Sequence, residues 1–147
     1  MHIEKDLVWT HYIAETDTID KEKCGKWMSF FGGDLDKIFF VEDVCKEAVE
    51  RGIVTQVKHT SSTGFLIQGT GVMCFYVNAD DREGHRRVIS YFLEKGLIQK
   101  KKTGELFNIS FKRDKQTRAR EYGSNFSSDI KLNQFINLKT GKWIETV

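Results

Sequence analysis

At 147 residues, with 39% apolar and 12% aromatic side chains, the chain is long enough for one domain with a real core and too apolar for a disordered segment. The formal net charge of +2 conceals a polarity: residues 1–50 carry six Lys/Arg against twelve Asp/Glu, and residues 86–120 carry eleven against three. That asymmetry suits an anionic partner, and equally suits chain ends that neutralise one another.

No apolar run approaches membrane-spanning length. The opening MHIEKDLVWTHY lacks the basic start, apolar stretch and small-residue cleavage site of a signal peptide. Cys24, Cys45 and Cys74 are odd in number and widely spaced, with no CxxC and no Cys/His pair at metal-ligand spacing. The expectation is a cytoplasmic protein with reduced thiols, no membrane segment, no metal and no cofactor.

In chain order, Leu7–Ala14 is the first expected strand, with Trp9, His11 and Ile13 on one parity and Val8, Thr10 and Tyr12 on the other. Glu15–Cys24 is an acidic loop. Gly25–Phe31 is a second strand, ended by Gly32-Gly33. Asp34–Arg51 repeats apolar residues at helical spacing (Ile38, Val41, Val44, Cys45, Ala48, Val49) and stops at Gly52. Ile53–His59 is a third strand.

Thr60–Gly71 is the most loop-like piece, rich in Gly, Ser and Thr around an apolar Phe65-Leu66-Ile67. It reads as a hairpin tip or a lid, and as a place for a protein partner to dock. Its GTG lacks the following Lys-Ser/Thr of a phosphate-binding loop. Val72–Val77 is a continuous apolar run, hence a central strand. A second helix follows to Lys95, opened by Asp80 with Glu83 three residues on and stopped by Gly96.

Lys100–Lys102 with Thr103-Gly104 forms a short basic turn. Beyond it, Glu105–Gly123 alternates as a half-buried strand through Phe107, Ile109 and Phe111, then delivers Lys112, Arg113, Lys115, Arg118 and Arg120 with Tyr122 among them. Such a loop can hold phosphate, because Arg presents a planar fork of donors and Lys a compact charge. The alternative is a solvated basic loop. After it, residues 130–138 read as a short helix or packing segment, 139–141 as a turn and 142–147 as a last strand or tail.

The expected architecture is α+β: a curved, largely antiparallel sheet with two main helices on one face, in a single domain over 1–147 with its core at about 7–123 and an extension over 124–147.

Trp9, the Gly25–Met28 strand GKWM, Lys58 after Val57, Asp80-Asp81 opening the second helix, and Phe111, Lys112, Asp114 and Thr117 carry a resemblance. In their order and spacing they resemble the small family typified by basophilic leukaemia expressed protein, which has the initiation-factor-4E-like fold of the messenger-RNA cap-binding proteins. Those relatives hold a methylated guanine between two Trp rings and its phosphates with Arg and Lys. The resemblance implies that Lys58 falls where a phosphate-binding residue stands, and that the Lys112–Arg120 loop lies near the phosphate tail. The Trp-Glu loop of the cap-binding relatives has no counterpart here.

Three functions remain open on the sequence. The first is a non-enzymatic module binding a nucleotide, modified nucleotide or RNA end through Lys58, Lys112, Arg113, Lys115, Arg118 and Arg120, with Trp9, Phe65 or Tyr122 stacking a base. The second is a protein-interaction module, an inhibitor or adaptor. The third is a nucleotide-processing enzyme, for which His59, His85, Lys112 and Asp114 are available. No nucleophile–base pair, no carboxylate pair and no second HxS/T stands in the sequence to support that third reading.

Overall fold

The computed structural model describes residues 1–114 and 129–144. Six antiparallel strands form one curved, unclosed sheet. They are β1 (His2–Lys5), β2 (Trp9–Ile13), β3 (Cys24–Gly32), β4 (Gln56–Thr60), β5 (Gly71–Asn78) and β6 (Lys112–Arg113), in the spatial order β1-β2-β4-β5-β3-β6. Among the described residues three α-helices accompany it: α1 (Ile38–Glu50), α2 (Ser62–Gln68) and α3 (Arg82–Lys95). None of the described helices is long and apolar enough to cross a membrane. The α+β class with a curved antiparallel sheet is therefore as expected.

Strand parity divides the sheet. Trp27, Phe31, Val57, Met73, Phe75 and Val77 point to one face and are buried under the helices. There the Phe75 ring meets Phe92 edge-on at 4.9 Å, and the Tyr91 hydroxyl donates to the Val44 carbonyl at 2.9 Å, tying α3 to α1 over the sheet. Trp27 is fully buried among Phe111, Phe135 and His85. Both long helices thus cover one face, and none of α1, α2 and α3 lies on the other.

Four local readings are corrected. The first strand is shorter than Leu7–Ala14, and an unforeseen β1 pairs with it. All four β1 residues are exposed, so β1 carries no apolar alternation to betray it. Asp6 closes the turn by accepting from the backbone N–H of Val8 and Trp9 at 2.9 and 2.7 Å. The third strand starts later, at Gln56. Asp81, not Asp80, caps α3, accepting from Gly84 N–H at 3.0 Å.

Residues 60–71 are neither hairpin tip nor open lid. They fold as α2, capped by Ser61 and ended by Gly69 at φ 76°. The helix has poor intrinsic formers, and tertiary packing holds it: Phe65 stacks on Phe31 at 6.2 Å.

Residues 105–111 do not form the expected strand. The Ile109 N–H turns back to the Phe107 carbonyl, which kinks the chain at Asn108. Phe111 and Ile109 then exchange backbone bonds with Ile130 and Leu132 instead of with β3. Only Lys112 and Arg113 join the sheet. The segment at 130–138 contains a single turn of 3-10 helix and drives Leu132 and Ile136, both fully buried, into the core.

Candidate functional site: the sheet face opposite the long helices

The face opposite the helices is built by register. Lys58 on β4 stands beside His11 on β2 and Cys74 on β5, and Cys74 stands beside Met28 on β3. One row along, Tyr76 lies beside Lys26, and Lys26 beside Lys112. Trp9 pairs with Thr60 at the far end of β4. Period-two alternation puts all of these side chains on one side of the sheet.

Lys58 is the centre of this surface. Its ammonium lies 3.9 Å from the centroid of the Trp9 ring and 5.9 Å from that of Tyr76. Two aromatic faces thus hold the charge through their quadrupoles. No carboxylate among the described residues forms an ion pair with it. Burial pushes its pKa below the usual lysine value, and the nearby Lys26 charge acts in the same direction. A half-buried ammonium with no carboxylate partner is a ready place for an anion.

Lys26 is deeper, with a side chain 14% exposed, and pairs with Asp114 at 3.2 Å. Its ammonium also lies 5.9 Å from the Tyr76 ring centroid. The Cys24 thiol donates to the other Asp114 oxygen at 3.7 Å. Tyr76, Asp114, Gln56 and Cys24 line a cavity of about 350 Å³ beside these groups. The acidic loop closes it with Asp17, Ile19 and Lys21, and Asn78 anchors that loop by donating to Thr18 and accepting from Asp20. Burial raises the Tyr76 hydroxyl well above its usual range, which keeps it a neutral donor.

Of the residues expected to bind a ligand, the structure brings Lys58, Lys112 and Trp9 onto this one face. Arg113 is next to Lys112 but forks onto Asp129, with contacts of 2.6 and 3.3 Å. That pair holds the Asp129 carboxyl below its usual pKa. Phe65 is buried against Phe31 on the helix side, so it offers no ring to a base on this face. Lys115, Arg118, Arg120 and Tyr122 lie outside the described residues.

Lys26 and Tyr76 were missed. Parity within GKWMSFF carried the signal for Lys26, since Lys26, Met28 and Phe30 alternate with Trp27, Ser29 and Phe31. Tyr76 was hidden inside the unbroken apolar run of β5, where only register separates the two faces.

The histidines named for catalysis serve the core. His59 is 1% exposed; its Nδ1 donates to the Thr60 carbonyl at 2.8 Å, so Nε2 accepts from the Tyr12 hydroxyl at 3.1 Å. His85 Nδ1 accepts from the Trp27 indole N–H at 3.0 Å, and its Nε2 donates to the Ala79 carbonyl at 2.9 Å. Burial lowers the pKa of both, so both are neutral imidazoles with each nitrogen engaged. The described residues hold no cluster of His, Cys, Asp and Glu that could bind a metal ion.

No family model, curated protein or solved structure matches this chain.

Proposed function

We propose that the protein is a non-enzymatic binding module for a phosphorylated ligand carrying an aromatic base, such as a nucleotide, a modified nucleotide or an RNA end. Phosphate would sit at Lys58, with Lys26 and Lys112 beside it, and the base against Trp9. The observation that carries this reading is the Lys58 ammonium, half-buried between two aromatic faces and without a carboxylate partner among the described residues. Engagement of both nitrogens of His59 and His85 favours binding over turnover. A curved antiparallel sheet with both long helices on one face is also what the resemblance to the initiation-factor-4E-like fold implies, and membership of that fold is part of the proposal.

Titration with nucleoside mono- and triphosphates and with capped dinucleotides, followed by tryptophan fluorescence, tests it. Trp9 should report directly, since Trp27 is buried on the other face. A saturable change that weakens with salt is expected. Lys58→Ala should weaken binding by about 10- to 100-fold, the worth of one charge-assisted contact. A flat response across the panel, or equal affinity in Lys58→Ala, refutes the reading.

A protein partner is the second reading, favoured by the exposure of Phe39 on α1 and of Leu66 and Ile67 on α2. Partner capture lost in Leu66→Ser with Ile67→Ser, while nucleotide affinity is unchanged, would support it.

A further inference from the structure

Beyond Lys26, the face opposite the long helices continues to the β3 edge and over it. Phe30 lies on the same side of the sheet as Lys26 and Met28, pairs with Val72, and is 53% exposed. A cavity of about 220 Å³ opens beside it, lined mainly by Met28, Phe30, Leu97, Phe107 and Ile109. Phe107 is 42% exposed there because the kink at Asn108 turns it out of the core.

The rim of this cavity is basic. Gln99 lines it and accepts from the Phe107 N–H at 2.9 Å, so the turn at Lys100, Lys101 and Lys102 begins at its edge. Lys100 bridges to Leu106, and Gly104 closes the turn at φ 91°. All three lysines are exposed, and none forms an ion pair with a described residue.

The register sets the spacing. Trp9, Thr60, Val72 and Phe30 follow one another across β2, β4, β5 and β3. Three strand steps of about 4.8 Å put Trp9 and Phe30 roughly 14 Å apart, with Lys58 one residue pair along and Lys26 two. Two aromatic positions therefore stand on either side of the strand that carries Lys58, and a second cationic group lies past the outer one. A mononucleotide spans only the first half of that track. An unstacked single strand, with bases splayed onto separate aromatic positions and phosphates between them, matches all of it.

We propose that the ligand of this face is a single-stranded nucleic acid of two or more nucleotides, running from Trp9 and Lys58 across Phe30 and Phe107 to Lys100–Lys102. This inference rests on the phosphate-and-base reading of Lys58 and extends it in length and direction. The one carboxylate within 96–113 is Glu105, and the Asp114 carboxylate that follows is paired with Lys26.

The test uses the full chain and fluorescein-labelled homo-oligonucleotides, ribo and deoxy, from mono- to hexanucleotide, followed by anisotropy at several salt concentrations. Affinity should rise about tenfold or more from mono- to tetranucleotide, since each stacked base adds to binding. The slope of log affinity against log salt should steepen by about 0.7 for each added phosphate contact. The triple variant Lys100→Ala, Lys101→Ala, Lys102→Ala and the single variant Phe107→Ala should each lose that gain and keep the affinity for the mononucleotide. These side chains are exposed, and an unchanged melting temperature checks the fold.

Equal affinity for mono- and oligonucleotides overturns the extended track while leaving the Lys58 site standing. A gain that survives in Phe107→Ala and is abolished by competing inorganic polyphosphate overturns it in favour of charge alone. Absence of binding to both mono- and oligonucleotides overturns the track and the Lys58 reading together.

Discussion

The two faces of the sheet use the same strands for opposite ends. On the helix side, β3 contributes Trp27 and Phe31 and β5 contributes Phe75 and Val77, all packed under α1 and α3. On the other side, the alternate residues of the same strands are Lys26, Met28, Phe30, Cys74 and Tyr76. On the helix side the buried His59, His85 and Ser29 all have hydrogen-bond partners. On the opposite side the Lys58 ammonium lies against two ring faces, with no ion pair to a described carboxylate. A buried polar group without partners destabilises, so the hydrogen-bonded His59, His85 and Ser29 mark the surface that holds the fold, and the ring-held Lys58 marks the surface offered to a ligand.

The comparison breaks or sharpens with four substitutions and one pH series. Trp27→Ala should be the largest effect, costing about 3–5 kcal/mol by leaving a cavity and an imidazole without its indole donor. Chemical denaturation measures it, and a loss below that of an ordinary surface substitution would contradict the assignment of Trp27 to the core. Gly71→Ala should come next, at about 1–3 kcal/mol, because its Cβ would run into the Phe31 ring that carries Phe65 and α2.

The pH dependence follows from the two internal histidines. Their folded pKa values lie below the ordinary 6.5, so between that value and the folded pKa the unfolded chain binds more protons than the native one. Stability is therefore present above about pH 6.5 and is lost as pH falls below it. Thermal melts from neutral pH to about pH 5 should show that loss, and a flatter profile in His59→Gln would tie it to this residue. An unchanged melting temperature across the range would mean that the imidazoles are free to protonate in place.

Lys58→Met should leave the melting temperature unchanged or slightly higher, since it removes a half-buried charge and keeps the stem. A marked loss of stability would mean that the cation–ring contacts hold the sheet and that the two faces are not functionally separate. Arg51→Ala should have the smallest effect. Arg51 contacts Glu94 at 2.7 Å and Glu47 at 3.4 Å, but all three side chains are substantially solvent-exposed, and denaturant midpoints should barely differ.

The sequence by itself determined the elements whose pattern is long. Apolar residues at helical spacing marked α1 and α3, with Gly52 and Gly96 after their ends, and alternation marked β2 and β3. These suffice for an α+β class, because their apolar stripes must be buried against a sheet. Lys58 was singled out through the resemblance, as a Lys after Val57 on the third strand.

Tertiary structure alone decided the rest, each for a physical reason. β1 has no buried face and exists because β2 offers it backbone partners. α2 is a run of weak helix formers held by one aromatic stack. The strand expected at 105–111 had the right alternation but lost its ladder to 130–132, a segment some 20 residues away in sequence. The meeting of Lys58, Lys26 and Tyr76 is a matter of register: three strands separate in sequence carry these side chains, and only their alignment brings the charges and rings together.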